Sequence, residues 1–383
     1  MFSVRVERIA AGGAGIAAHE GKRIFVELTA PGDLVRCQIK KDHKTWAEAE
    51  IVEILEASPQ RVKPVCPLYG RCGGCTFQHL DYEAQIEAKT AILKETFSRI
   101  GGIDQNKIRL RKAESFEYRN RMQFHKTASN HPGLKERKSS RLVVIDDCPI
   151  ADSGIRKALR EGRILPPPGK ERFTVFSSRK TFLCEGGTEQ GRVSVLDKEL
   201  AMDVRVFFQS NVAMLELLIE DLIAAASKAD STLPLADIYC GVGTFASFLS
   251  GELQSNSGFS EIDLVEENKT ALALARENMP PDKKVNYYAI SDTDWSKTQK
   301  KGRTWGFMVL DPPRKGLSLG IREFLVRNGP EFVAYVSCDP ATLARDSRAL
   351  LEGGYTLKEL TMYDFYPQTA HIESLAIFSR GKQ

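Results

Sequence analysis

The stretch "LPLADIYCGVGTFASFLS" (residues 233–250) decides the fold. Leu235 to Ile238 form an apolar run of strand length, Gly241 and Gly243 a tight loop, and the apolar residues beyond them a helix. Strand, glycine loop and helix in that order are the opening βα unit of a doubly wound sheet. The same alternation continues downstream. "IDLVEENKTALALAREN" (262–278) reads as strand, acid and helix, and "VNYYAISD" (285–292), "WGFMVLDPPRKG" (305–316) and "EFVAYVSCDP" (331–340) each read as a strand with a polar end. Upstream, "NVAMLELLIEDLIAAA" (211–226) has the pattern of an apolar helix. A mostly parallel α/β sheet places its site at the carboxyl ends of its strands.

The N-terminal part is different. "SVRVERIA", "KRIFVELT", "DLVRCQIKK" and "TWAEAEIVEIL" are short β segments within residues 1–57, separated by "AGGAG" and "APGD", as in a small barrel. "SPQRVKP" (58–64) reads as a linker, and residues 81–100 have helical period, with Asp81 as N-cap and Gly101–Gly102 as the stop. Residues 115–205 are β-rich and irregular, broken at "LPPPG".

Composition sets bounds. Apolar residues at 42% and charged residues at 27% suit a soluble globular chain, and no apolar run is long enough to cross a membrane. The opening "MFSVRVERIAAGG" carries Arg5, Glu7 and Arg8, so a secretory signal is not expected and the expected compartment is cytoplasmic. Eight cysteines in 383 residues are too dilute for a disulfide scaffold. The net charge is +4; the cationic excess lies in the first 150 residues, which suits a polyanion there.

The glycine loop lacks the third glycine of a dinucleotide fingerprint, and Ser247 stands near its place. That argues against a pyrophosphate seat and permits a nucleoside cofactor without phosphate, such as S-adenosylmethionine. Glu266 ends the next strand, where an acid binds ribose hydroxyls, and Asp292 ends the one after. Asp311 ends a further strand under two prolines, which remove backbone donors and favour a dedicated loop over a plain cap.

Cys338 stands one strand beyond Asp311 and faces the same crevice. A thiolate is a soft nucleophile able to add to C6 of a pyrimidine, which makes C5 able to take a methyl group from a sulfonium. The C5 proton must then leave. Glu373 in "QTAHIESLAIF" is the candidate base, with His371 and Ser374 as neighbours able to orient it. The plain alternatives are a buried core thiol and a solvated glutamate. Cys66, Cys72 and Cys75 form C-x5-C-x2-C, with Cys148 further on; by spacing alone, four such thiolates hold zinc or an iron–sulfur cluster.

In this order the motifs resemble the S-adenosylmethionine-dependent RNA uracil-5 methyltransferases, which form 5-methyluridine, over essentially the whole chain. "SCDPATLARD" is similar to the family's nucleophile motif and "HIES" to its proton-abstracting motif, which implies Cys338 and Glu373 as the catalytic pair. "FFQSN" (207–211) resembles the segment whose glutamine, here Gln209, contacts the cofactor. Tyr239, Gly241, Thr244, Glu266, Asp292 and Asp311 fall on the other cofactor positions. Two positions depart from the family: Asp339 stands where Asn is usual, and Thr244 where Asn is frequent. The resemblance tips the cysteine set to a [4Fe-4S] cluster on Cys66, Cys72, Cys75 and Cys148, and the N-terminal barrel to a TRAM domain, an OB-like RNA-binding module. It implies three domains: 1–57, the barrel; 58–81 with 115–205, a central iron–sulfur and RNA-binding domain; and 82–114 with 206–383, a Rossmann-like methyltransferase domain.

The implied activity is 5-methylation of a uridine in 23S rRNA by a monomer, since barrel and cluster together resemble the members acting on large-subunit ribosomal RNA. The alternatives are a tRNA uridine-5 methyltransferase, a DNA cytosine-5 enzyme, and a non-catalytic RNA-binding factor with a methyltransferase fold. A DNA enzyme joins proline and cysteine in one loop, whereas here they lie on separate strand ends.

Overall fold

Alternation of burial along the strands fixes how the chain is layered. The computed structural model describes residues 1–381 apart from 106, 252–257 and 301. Strands β1 (Phe2–Arg5), β2 (Arg8–Ile9), β3 (Gly15–His19), β4 (Lys22–Val26), β5 (Leu34–Asp42) and β6 (Trp46–Glu56) make one sheet in the order β1-β5-β6-β4-β3-β2. It curls around Val4, Ile24, Val26, Val35, Cys37 and Ala47. Strand β3 falls partly on the segment read from the sequence as a glycine turn. Its Gly15 has no room for a side chain: a Cβ there would meet the Thr29 hydroxyl at 2.1 Å.

Helix α1 (Tyr82–Thr96) begins at Asp81, whose carboxylate accepts from the Ala84 N–H at 2.8 Å, and its C-terminal π turn ends at Gly102 with φ of 64°. After β7 (Arg109–Arg111), a five-stranded sheet follows from β8 (Arg121–Lys126), β9 (Pro132–Lys135), β10 (Leu142–Val144), β11 (Arg172–Ser178) and β12 (Thr181–Cys184), with α2 (Ser153–Arg160) against it. The hairpin β13 (Gln190–Val195) and β14 (Lys198–Asp203) leads to α3 (Val212–Ala226).

The remaining elements alternate: β15 (Leu235–Ile238), α4 (Thr244–Leu249), β16 (Glu261–Val265), α5 (Lys269–Asn278), β17 (Lys284–Tyr288), α6 (Asp292–Thr298), β18 (Phe307–Leu310), α7 (Leu319–Asn328), β19 (Phe332–Ser337), α8 (Pro340–Glu352), β20 (Thr356–Tyr363) and β21 (Glu373–Ser379). They form an eight-stranded sheet in the order β17-β16-β15-β18-β19-β21-β20-β7, parallel from β17 to β19, with β21 antiparallel between β19 and β20. All residues of β15 and β18 are buried, as expected for strands covered on both faces. Phe307 and Val309 join the core beneath α3 to α5, while Met308 and Leu310 join the core beneath α1, α7 and α8. The sheet runs outward in both directions from β15, so the crevice opens at the carboxyl ends of β15 and β18. Among the described residues, no helix is long and apolar enough to cross a membrane.

A fully buried ion pair ties α1 to the segment before β21. Lys89 Nζ lies 2.5 Å from Asp364 Oδ1 and donates to the Tyr366 carbonyl at 3.0 Å, and Tyr82 Oη donates to Asp364 Oδ2 at 2.9 Å. Lys89→Ala leaves the Asp364 carboxylate buried without its counter-charge. We expect it to lower the unfolding free energy by about 3–5 kcal/mol, read as a drop in urea midpoint, and expect the paired Lys89→Met and Asp364→Leu replacement to recover much of that loss.

Candidate active site

The sheet register lines up the polar residues that follow each parallel strand. Ile238 pairs with both Val265 and Leu310, so the next residues, Tyr239, Glu266 and Asp311, stand side by side at the carboxyl edge. Ser337 of β19 pairs with Ser374 of β21, and one step further along this antiparallel register sets Cys338 across from Glu373. Tyr239, Gly241, Glu266, Asp292, Asp311, Gln209, Cys338 and Glu373 all line one cavity of about 800 Å³.

The glycine loop holds one end of this cavity. Gly243 has φ of 75°, and a Cβ there would lie 3.1 Å from the Ala275 Cβ, so only glycine lets α5 approach the turn. Glu266 braces the loop by accepting from the Gly241 N–H at 3.1 Å and turns its other oxygen to the Asn268 N–H at 2.8 Å. Tyr239 adopts φ of 66°, a conformation costly for a bulky side chain, and its hydroxyl donates to Asp292 Oδ2 at 2.6 Å. The Ser318 hydroxyl donates to the same oxygen.

Asp292 was expected at a strand end. It is instead the first residue of α6, beyond the end of β17 at Tyr288, with Ser291 as the N-cap. Thr244 opens α4, directly after Gly243 of the glycine loop.

The other end of the cavity holds two acids and the thiol. Gln209 Nε2 donates to Asp311 Oδ2 at 3.3 Å. Loss of water pushes the Asp311 carboxyl up to about 7, against the lowering effect of that hydrogen bond. Glu373 is 4% exposed, and burial, followed by the charge of Asp311, drives it well above the usual carboxylate range. Burial, then Glu373 and Asp311, push the Cys338 thiol up to about 11. Arg314, from the exposed loop after the two prolines, acts in the opposite direction on both Cys338 and Glu373.

Neither neighbour expected to orient Glu373 does so. Among the described residues, neither His371 nor Ser374 hydrogen-bonds it. The His371 ring meets Tyr366 edge-on at 5.7 Å, and the buried Ser374 hydroxyl, on the opposite face of β21, has no partner among the described residues. Asp339, the acid beside the thiol, accepts from the Ala341 and Thr342 N–H groups at 3.0 and 2.9 Å. Its charge therefore caps α8. Sequence reasoning did not single out Arg119, Arg314, Ser318 and Tyr366 as lining residues; only Arg314, beside the double proline, carried a local signal.

The residues at the glycine-loop end fit an adenosyl amino acid. Strand-end carboxylates can take ribose hydroxyls and a cationic sulfonium, and the loop lacks a phosphate seat. The four cysteines Cys66, Cys72, Cys75 and Cys148 line a separate cavity of about 30 Å³, with Arg119 and Gln78 beside them. Burial pushes Cys75 up to about 12 and Cys148 up to about 11. Among the described residues, no three or more His, Cys, Asp or Glu are placed to hold one metal ion.

Comparison with known proteins agrees with this architecture. A family model described as tRNA (Uracil-5-)-methyltransferase matches residues 180–381, and a TRAM domain model matches residues 2–52. The chain is 34% identical to an uncharacterized RNA methyltransferase of Treponema denticola, covering 99% of each. It is 29% identical to the 23S rRNA (uracil(1939)-C(5))-methyltransferase RlmD of Photobacterium profundum, covering 97% of this chain and 92% of that one. The crystal structure of Pyrococcus abyssi tRNA (uracil-54, C5)-methyltransferase, in complex with S-adenosyl-L-homocysteine, superposes with a TM-score of 0.73 at 23% identity, covering 98% of this chain and 100% of that one.

Proposed function

Because the chain belongs to the tRNA (uracil-5-)-methyltransferase family, we propose that it methylates C5 of one uridine in 23S rRNA, with Cys338 as nucleophile and Glu373 as base. The observation that carries this reading is the meeting of a thiol and a buried carboxylate across one strand pair, inside one cavity. The barrel matching the TRAM domain supports an RNA substrate, and the name of the Photobacterium relative supports ribosomal RNA.

The target uridine leaves its stack and enters the crevice. Cys338 Sγ adds to C6, and the displaced electron pair makes C5 nucleophilic. S-adenosylmethionine, when bound, supplies the methyl group that C5 takes. Glu373 then accepts the C5 proton, the electron pair re-forms the C5–C6 double bond, and Sγ leaves. Gln209, Tyr239, Gly241, Thr244, Glu266, Asp292 and Asp311 would hold the cofactor.

Cys66, Cys72, Cys75 and Cys148 line one small cavity, and as four thiolates they would hold a [4Fe-4S] group that shapes the RNA-binding face. Anaerobically purified protein is expected to contain about four iron and four sulfide per chain; one zinc and no sulfide would contradict this.

The functional test supplies unmodified 23S rRNA and tRNA transcripts with labelled cofactor and maps 5-methyluridine. Label in a single ribosomal uridine is expected. Label in tRNA alone would move the substrate, and label in neither would refute the activity.

A further inference from the structure

Alternation along two barrel strands leaves aromatic groups on the surface. β4 and β6 pair in parallel with Arg23 beside Trp46 and Phe25 beside Glu48, while Ile24, Val26, Ala47 and Ala49 point into the core. The outward residues line a cavity of about 630 Å³, to which Lys138 also contributes. The Trp46 indole is braced: His43 stacks on it with ring centroids 3.9 Å apart, and Phe25 meets it edge-on at 5.8 Å.

This cavity is not isolated. Glu27 and Lys138 also line a second cavity of about 550 Å³, which carries His125, Lys135 and Arg137. Arg119 lines that second cavity and the active-site cavity as well. Successive cavities that share lining residues therefore lie between the Trp46 face and Cys338; Lys138 and Arg137 there are paired with Glu27 and Glu48, and Arg23, Lys135 and Arg119 add further cationic groups along the way.

Resting on the RNA reading above, we propose that the barrel cavity is a second nucleobase site, which takes one unpaired base of the substrate strand several nucleotides from the flipped uridine. Aromatic faces accept any base, and basic side chains along the groove follow the phosphates between the two sites. Glu27 and Glu48 face the barrel cavity and disfavour a phosphate there, so the base occupies it and the backbone stays on the cationic rim. The RNA between the two sites is single-stranded and extended, because a paired helix cannot splay two bases into separate cavities.

Fluorescence tests this directly. Of the three tryptophans, Trp295 and Trp305 are 0% and 2% exposed, so emission changes on binding report Trp46. Full-length protein without cofactor is titrated with a short single-stranded RNA and with an abasic strand of equal length and charge. The RNA is expected to quench the emission and the abasic strand to leave it unchanged. Trp46→Ala is expected to weaken RNA binding by about 5- to 150-fold, and Trp46→Phe, which keeps a ring and checks folding, to retain most of it. Equal quenching by the abasic strand, or unchanged binding by Trp46→Ala, overturns the site. Methyl transfer by the same preparation is scored separately. Transfer without base-dependent quenching refutes this site alone, and quenching without transfer refutes the catalytic reading alone.

Discussion

Cys338→Ala protein will bind RNA and transfer no methyl group, with turnover reduced by at least about 10⁴-fold. The uracil ring presents no nucleophilic carbon until a bond forms at C6, so the loss is chemical and does not pass through affinity. The substituted side chain is half-buried and, among the described residues, makes no hydrogen bond to a side chain, so folding should be unchanged. The wild-type enzyme adds a second signature. With the thiol held up to about 11 and Asp311 up to about 7, both groups are more ionised as pH rises. At limiting RNA, the methylation rate should therefore climb from about pH 6 to about pH 9. Activity in Cys338→Ala, or a rate that falls across that window, would remove the nucleophile assignment.

Glu373→Gln is expected to stop the cycle later. Its free-protein carboxyl is buried and held well above the usual carboxylate range, so glutamine closely matches the neutral form in shape and polarity. Addition and methyl transfer proceed once, but nothing removes the C5 proton. Turnover should fall by about 10²- to 10⁴-fold, and a methylated protein–RNA complex that survives denaturation should accumulate. Loss of turnover with no such complex would show that Glu373 acts before or during bond formation at C6.

Much of this site could be read from the chain because parallel strands are short apolar runs and their chemistry follows them directly. Glu266, Asp311 and Cys338 each come one residue after a strand, and Glu373 opens one. What was hidden depends on pairing across distance. Lys89 sits on a regular helix and reads as a solvated cation; its partner Asp364 is 275 residues away. Asp339 looked like a charge set beside the thiol, yet its two N–H partners belong to the following helix turn. Strand β3 was obscured by glycine and alanine, whose small size permits the tight barrel corner and weakens the period-2 pattern. Trp46 reads as one aromatic in a strand; only the fold sets it beside Phe25 and in one cavity with Lys138.

The most direct test of the catalytic proposal incubates the protein with cofactor and RNA carrying 5-fluorouridine, which has no C5 proton to surrender. Proteolysis and mass spectrometry should find a methylated fluorouracil bonded to the peptide containing Cys338, through sulfur. An adduct on any other cysteine, or methylation of natural RNA by a protein that never forms one, would contradict the account.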